Sequence, residues 1–484
     1  MNWSRNSERM KFLKVGLVFL PVIVIFSSAI AQKTAVIDRF GVKNTRMAWW
    51  GDAKFGLFLH WGLYSQTAGD WKSHVVKGGE HFMLYERIPV QEYGTIANDF
   101  NPLKFDADEW VRLAKNTGMK YIVFTAKHHD GFAMYNSAIS NYNIVKRSPF
   151  KRDPIAELAK ACKKYDLKLC LYYSLGRDWE DPDVPTNWPV KAGRSNTWDY
   201  PNEDAKVFSR YFERKVKPQI KELLSNYGPI AVLWFDTPEL ISKEESLALK
   251  TLINTLQPNC LINSRIGNGF GDFSISEQSL APSSKKAWES CLTIGQNWGY
   301  NRHDSIWKSP EVLVRHLVEV TANGGNLLLN VGPKGDGTFP GWATERLKSI
   351  GQWMDINKEA IYVTKPWQYV KENGSTSNRN ASIEESKDAI KDAVFDGTPQ
   401  ATDEDVYYTS KAGVVYVFLR SWKRVDVFLE RLSAKTLSIK KIELLGNKET
   451  IEWKNSNDGL RIKLPSQYQK ASPIPVYVLK ITPN

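Results

Sequence analysis

The sequence predicts an α/β chain: a (β/α) barrel of TIM-like type, complete or slightly irregular, followed by a C-terminal antiparallel β-sandwich. Three observations point there. Over roughly 300 residues, seven short apolar runs are mostly separated by amphipathic helical stretches, the alternation expected of a parallel sheet under helices. Beyond about residue 366 the helical periodicity stops and short strand-like segments follow one another. A doubly wound open sheet is the alternative, but it would usually bring a Gly-rich phosphate loop after its first strand, and the segment after His60 has none.

The elements justify this in turn. Residues 54–60 read as a first strand ending at His60-Trp61-Gly62, followed by a long Gly-, His- and aromatic-rich loop to about Pro102. Asp106 is a helix N-cap with Glu109 three positions on, and Trp110, Leu113 and Ala114 form an apolar face. Residues 120–125 make the next strand, running into Lys127-His128-His129-Asp130-Gly131. Asp153-Pro154 opens another helix, residues 167–174 a strand, and a long helix interrupted by Pro218 leads to residues 230–236. There an uninterrupted apolar run stops at one carboxylate, Asp236. Strands at 260–265, 290–294 and 326–331 complete the series, with helices at 243–256 and 310–322. The segment 374–405 reads as polar loop, and the sandwich strands follow it.

The chain of 484 residues, 42% apolar and 12% aromatic, is rich enough in core formers to exclude a disordered protein. Its net charge of +12 includes +3 from residues 1–31, and the remainder is scattered, so nucleic acid is not an expected partner. Residues 1–31 have the form of a signal peptide: a basic start, an apolar stretch from Val15 to Phe26, and Ala29-Ile30-Ala31 as a cleavage site. The expected divisions are therefore 1–31, a catalytic barrel over 32–366, and a sandwich over 367–484. Export to the periplasm or the exterior follows, without a membrane anchor after cleavage. Cys162, Cys170, Cys260 and Cys291 lack metal or redox spacing and read as buried thiols, a Cys162–Cys170 bridge being the alternative.

Loops at the carboxyl ends of barrel strands carry the chemistry of such folds. One mouth would gather His60 and Trp61, His128 and His129, Tyr172 or Tyr173, Trp234, Asp236, Arg265 and one or two glutamates, with His81 a possible fourth histidine. The histidines have no recognisable metal spacing, so neither metal nor cofactor is expected, and they suit a polyhydroxylated ligand as donors. Glycoside hydrolysis with two carboxylates is the chemistry suggested, one attacking the anomeric carbon and one delivering a proton. Asp236 is the candidate nucleophile. Glu277 and Glu289 are rivals for the acid/base; Glu277 is preferred because it lies in a loop at the active mouth, whereas Glu289 precedes its strand and would face the opposite end.

His60-Trp-Gly, Lys127-His-His-Asp-Gly-Phe132, Trp234-Phe-Asp236, Trp288-Glu-Ser-Cys291, Trp298-Gly-Tyr300 and the run from Gly325 to Pro333 together resemble the glycoside hydrolase family 29 α-L-fucosidases. The resemblance covers about residues 35–365. It implies a retaining exo-enzyme that removes terminal α-L-fucose from glycans through a covalent fucosyl-aspartate at Asp236. It also implies sugar-pocket roles for His60, His128, His129, Tyr172, Trp234 and Arg265, with Trp298 facing the fucose methyl. Two departures stand out: Ile275-Ser276-Glu277 replaces Thr-Pro-Glu, and Glu80-His81 replaces Glu-Trp, which puts contact from the long first loop in question. The alternatives are an inactive secreted glycan-binding protein, or a retaining glycosidase for another galacto-configured sugar.

Overall fold

The computed structural model describes residues 45–186, 195–282, 286–372, 405–420, 426–465 and 474–484. The expected signal peptide and the polar stretch at 374–404 lie outside the described residues. Eight parallel strands form the first sheet: β1 (Phe55–Leu59), β2 (Tyr121–Lys127), β3 (Lys168–Ser174), β4 (Val232–Asp236), β5 (Leu261–Ile262), β6 (Ser274–Glu277), β7 (Trp288–Thr293) and β8 (Asn326–Val331). Their order is β5-β4-β3-β2-β1-β8-β7-β6. A bridge between Asn263 and Phe273 joins the two ends, with Ser264 N donating to Phe273 O at 2.7 Å. The result is a TIM-like barrel, irregular at β5–β6.

The strands are there because their residues are apolar on both faces. Phe58, Tyr172, Val232 and Trp234 fill the interior, while Leu57, Tyr173, Leu233 and Phe235 face the outer core. Helices α1 (Ala107–Thr117), α2 (Pro154–Tyr165), α3 (Lys217–Asn226), α4 (Lys243–Leu256), α5 (Pro310–Ala322) and α6 (Gly341–Asn357) accompany them. Asp106 and Asp153 cap α1 and α2, accepting from Glu109 N and Ala156 N, and Ser242 with Glu245 makes a capping box on α4.

Some expectations need correction. Ser274–Glu277 is a strand rather than a loop; four residues with two serines carry too little apolar signal to register as one. The fifth strand is only Leu261–Ile262, because Ser264–Ile266 turns into a 3₁₀ helix. Pro218 does not interrupt its helix. It sits in the first turn of α3, just after a π-helical stretch, Phe212–Val216, whose wider turn accommodates the missing N–H. All four cysteines are free and buried, so no Cys162–Cys170 bridge forms.

The C-terminal strands are β9 (Lys365–Glu372), β10 (Val406–Lys411), β11 (Val414–Leu419), β12 (Asp426–Leu429), β13 (Ile439–Leu444), β14 (Glu452–Ser456), β15 (Gly459–Lys463) and β16 (Tyr477–Pro483). They form antiparallel sheets of order β9-β10-β11-β16-β13 and β12-β15-β14. Tyr408, Val417, Leu460 and Ile481 lie in the core between them. On the other face of the larger sheet, Tyr407, Tyr416 and Phe418 join the barrel's outer core. There Trp353 Nε1 donates to Val476 O at 2.7 Å and Arg315 Nη2 to Arg420 O at 2.7 Å.

Candidate active site

Asp236 ends β4 at the carboxyl-terminal mouth of the barrel, and everything around it holds its carboxylate in place. Tyr172, one strand away on β3 and level with Trp234, donates its hydroxyl to Oδ2 at 2.8 Å. Arg265 Nη1 and Thr237 N donate to Oδ1 at 2.7 and 2.9 Å. His129 Nε2 lies 3.7 Å from Oδ2. Backbone contacts clamp the strand end as well: Leu175 N donates to Asp236 O, and a Cβ on Gly176 would stand 2.1 Å from Thr237 O, so only glycine fits there. Burial would raise the Asp236 carboxyl, but the Arg265 charge, the Tyr172 hydroxyl, Arg177 and Thr237 N together lower it below the ordinary value.

Arg265 is the centre of the arrangement. Its Nη2 donates to Glu277 Oε2, so one guanidinium holds both carboxylates, and it lies 5.2 Å above the Trp234 ring. Burial works against its charge, yet the two carboxylates raise its pKa.

The register separates the two candidate glutamates. Ile275 pairs with Glu289, and Glu277 with Cys291, so Glu277 stands two residues nearer the mouth. Glu289 is only 1% exposed, and both its oxygens are occupied, by Tyr121 OH at 2.5 Å and Trp234 Nε1 at 2.9 Å. The expectation that Glu289 precedes its strand is corrected: it is the second residue of β7, pointing into the barrel beneath Trp234. Burial, only partly offset by these donors and Trp50, pushes its carboxyl up to about 7.

The mouth opens into a cavity of about 990 Å³ whose lining includes all the sugar-pocket residues expected from sequence and Glu277, but not Glu289. His60 Nδ1 is 2.7 Å from Asn330 Oδ1, and His129 Nδ1 is 2.6 Å from Ser174 Oγ. His128 stacks on Tyr172, with ring centres 5.5 Å apart, and its Nδ1 is buried without a hydrogen-bond partner among the described residues. Burial lowers all three imidazoles, so they are neutral at neutral pH. Trp298 lies 5.1 Å from the His60 ring.

Other expectations separate here. Tyr173 faces outward and donates to Gln219 Oε1 at 2.8 Å. Trp61 belongs to the outer core, donating to Lys334 O at 3.0 Å. The long first loop does reach the cavity: Glu80 accepts from Gly299 N at 3.0 Å, and His81 beside it also lines the wall. Arg177 was not anticipated; its only signal is its place in the loop directly after β3, at the active mouth.

The barrel mouth with paired carboxylates and a wall of neutral donors and aromatic rings is that of a carbohydrate-active site. The chain matches the family described as Alpha-L-fucosidase over residues 28–359 and the Alpha-L-fucosidase C-terminal domain over 400–482. It is 30% identical over 446 residues to plasma alpha-L-fucosidase of Homo sapiens, covering 86% of this chain and 85% of that one. Among solved structures, alpha-L-fucosidase isoenzyme 1 from Paenibacillus thiaminolyticus is 30% identical with a TM-score of 0.74, over 91% of this chain and 99% of the other. Alpha-L-fucosidase AlfC from Lactobacillus casei, in complex with alpha-L-fucose product, is 44% identical with a TM-score of 0.62, over 65% and 100%. The chain belongs to the α-L-fucosidase family and is a glycoside hydrolase.

Proposed function

We propose that the chain is a retaining exo-α-L-fucosidase that releases terminal α-L-fucose from fucosylated glycans or oligosaccharides through a covalent fucosyl-aspartate. The observation that carries this is the single guanidinium of Arg265 bound at once to Asp236 and Glu277. Asp236 is the nucleophile: its carboxylate oxygen bonds to the anomeric carbon as the glycosidic bond breaks. Glu277 is the acid/base, giving its proton to the departing oxygen and later taking one from the water that hydrolyses the ester. The protons balance over the two steps: the one Glu277 gives to the departing oxygen is replaced by one from the attacking water, and Arg265 stays bound to both side chains.

The neutral histidines His60, His128 and His129 offer hydroxyl partners, with Tyr172 holding the nucleophile. Trp234 and Trp298 supply an apolar wall for the methyl of a 6-deoxy sugar. Residues 1–31 act as an export signal and 367–484 as an accessory sandwich beside the catalytic 32–366, which makes the enzyme periplasmic or extracellular. No cofactor is required for the reaction.

The test is chemical rescue. Asp236→Ala abolishes turnover of an aryl α-L-fucoside while the folded circular dichroism persists. Glu277→Ala loses most turnover and regains it with azide, which intercepts the glycosyl-enzyme without needing a general base. Rescue in Glu289→Ala, with none in Glu277→Ala, would transfer the acid/base role to Glu289.

A further inference from the structure

Arg177 is a charge on the cavity wall that neither Asp236 nor Glu277 engages. It is 7% exposed, and its Nε is sealed from solvent without a hydrogen-bond partner. The guanidinium makes no hydrogen bond or ion pair among the described residues. A buried charge is ordinarily paired, because leaving water is costly. The partner that is missing belongs to whatever the cavity receives.

The side chain is also firmly presented. Ser174 pairs with Asp236 across β3 and β4, and the residues after it are tied down in turn. Leu175 N donates to Asp236 O at 2.9 Å, Gly176 N to Thr237 Oγ1 at 3.2 Å, and Ser174 Oγ to Arg177 O at 2.8 Å. The fully buried Asp178 carboxylate meets Lys127 Nζ at 2.7 Å and Lys215 Nζ at 2.8 Å. Trp179 N donates to His129 O at 2.7 Å. The loop therefore holds Arg177 beside the end of β4 and the His128-His129 pair, and its charge helps to lower Asp236 and both imidazoles.

The same serine fixes the proton on His129. Its one hydroxyl proton goes to Arg177 O, so toward His129 Nδ1, 2.6 Å away, the oxygen can only accept. That puts the proton of the neutral imidazole on Nδ1 and leaves Nε2 a bare acceptor, 3.7 Å from Asp236 Oδ2. A sugar hydroxyl wants one donor and one acceptor. Arg177 and His129 supply one of each beside the carbon that Asp236 attacks. Two atoms flank that carbon in the ring. The ring oxygen gains positive charge as the glycosidic bond breaks, so a guanidinium there would oppose the reaction. The hydroxyl on C2 suffers no such conflict, and hydrogen bonds to it strengthen in the transition state.

We propose that Arg177 is a substrate-binding residue whose guanidinium donates to the 2-hydroxyl of the terminal fucose, while that hydroxyl donates to His129 Nε2. Ser174 is the positioning residue that orders both. The inference rests on the α-L-fucosidase reading and deepens it: the enzyme selects a free hydroxyl at C2.

Wild type, Arg177→Met, Arg177→Lys and Ser174→Ala are compared by kcat/KM on an aryl α-L-fucoside and on its 2-deoxy and 4-deoxy analogues. Calorimetric affinity for the free sugars replaces kcat/KM wherever turnover is too slow to read. Arg177→Met loses at least tenfold more on the fucoside than on the 2-deoxy analogue, and loses equally on the fucoside and the 4-deoxy analogue. Arg177→Lys keeps the charge but not the planar fork. It shows the same dependence on substrate at smaller size, and it decides the matter if the methionine variant fails to fold. Ser174→Ala loses at least threefold more on the fucoside than on the 2-deoxy analogue; equal losses would overturn its positioning role. Equal losses on those two substrates in the Arg177 variants would overturn the contact and leave Arg177 a charge that only supports Asp236. A deficit that disappears on the 4-deoxy analogue instead would overturn the assignment to C2. A wild type inert toward the aryl fucoside would overturn the fucosidase reading itself.

Discussion

Replacing Tyr172 by Phe removes one oxygen and leaves the stacked ring in place between His128 and Trp234. The lost hydroxyl is buried and donates to Asp236 Oδ2 at 2.8 Å. A hydrogen bond to a charged group contributes about 1.5–3 kcal/mol, which at about 1.4 kcal/mol per factor of ten corresponds to a roughly 10- to 100-fold loss in kcat/KM. Direction matters as much as size. Burial alone would raise the Asp236 carboxyl, and Arg265, Tyr172, Arg177 and Thr237 N outweigh it. With one of them gone the carboxyl rises. On the proposed reading Asp236 is the nucleophile and must be ionised, so the acid limb of kcat/KM against pH moves to higher pH and the deficit is largest on the acid side.

The same change alters stability. A depressed carboxyl stabilises the fold above its unfolded pKa and loses that contribution as pH falls through the folded one. The urea midpoint of Tyr172→Phe is therefore below wild type at neutral pH, and the gap closes in acid. The assay is kcat/KM for an aryl α-L-fucoside from pH 3 to 8, with urea denaturation alongside. Superimposable pH profiles with an unchanged plateau would refute the claim that this hydroxyl tunes the Asp236 carboxylate.

Three further outcomes follow from other contacts. Glu289, held up to about 7 from 4.5, stabilises the fold fully below about pH 4.5 and loses that contribution as pH rises to about 7. In Glu289→Gln this loss is absent, so urea stability shifts in the variant's favour by on the order of 3 kcal/mol across that window, and a pH-independent difference from wild type would contradict it. His128→Phe keeps a ring against Tyr172 but removes the free Nδ1, so calorimetric affinity for α-L-fucose falls about 10-fold, the scale of one lost hydrogen bond, while folding is retained. Trp353→Ala deletes a fully buried side chain and its bond to Val476 O, costing about 3–5 kcal/mol of urea stability with fucoside turnover per folded molecule unchanged.

Local pattern carried much of the site because the apolar runs end where the chemistry begins. Asp236 ends a buried strand, His60 and the His128-His129 pair directly follow theirs, and a parallel barrel places all such ends at one mouth. Caps such as Asp106 and Asp153 were equally legible, since a cap is a contact between residues three positions apart. The strand β6 was not, being four residues long, and the fate of Trp61 was hidden because an aromatic beside a cavity-lining histidine can point either way.

By itself, then, the sequence determined the alternation of strands and helices, the sandwich that follows, the nucleophile candidate and the family. Those depend on periodicity and on residues close together in the chain. Only the tertiary structure decided that Tyr172 rather than Tyr173 faces the cavity, that Glu277 stands at the mouth while Glu289 lies beneath Trp234, and that Glu80, His81 and Arg177 reach the wall. Each depends on the register between strands or on a loop folding back across the barrel, and a slip of one residue along a strand turns every side chain to its other face without altering the local pattern.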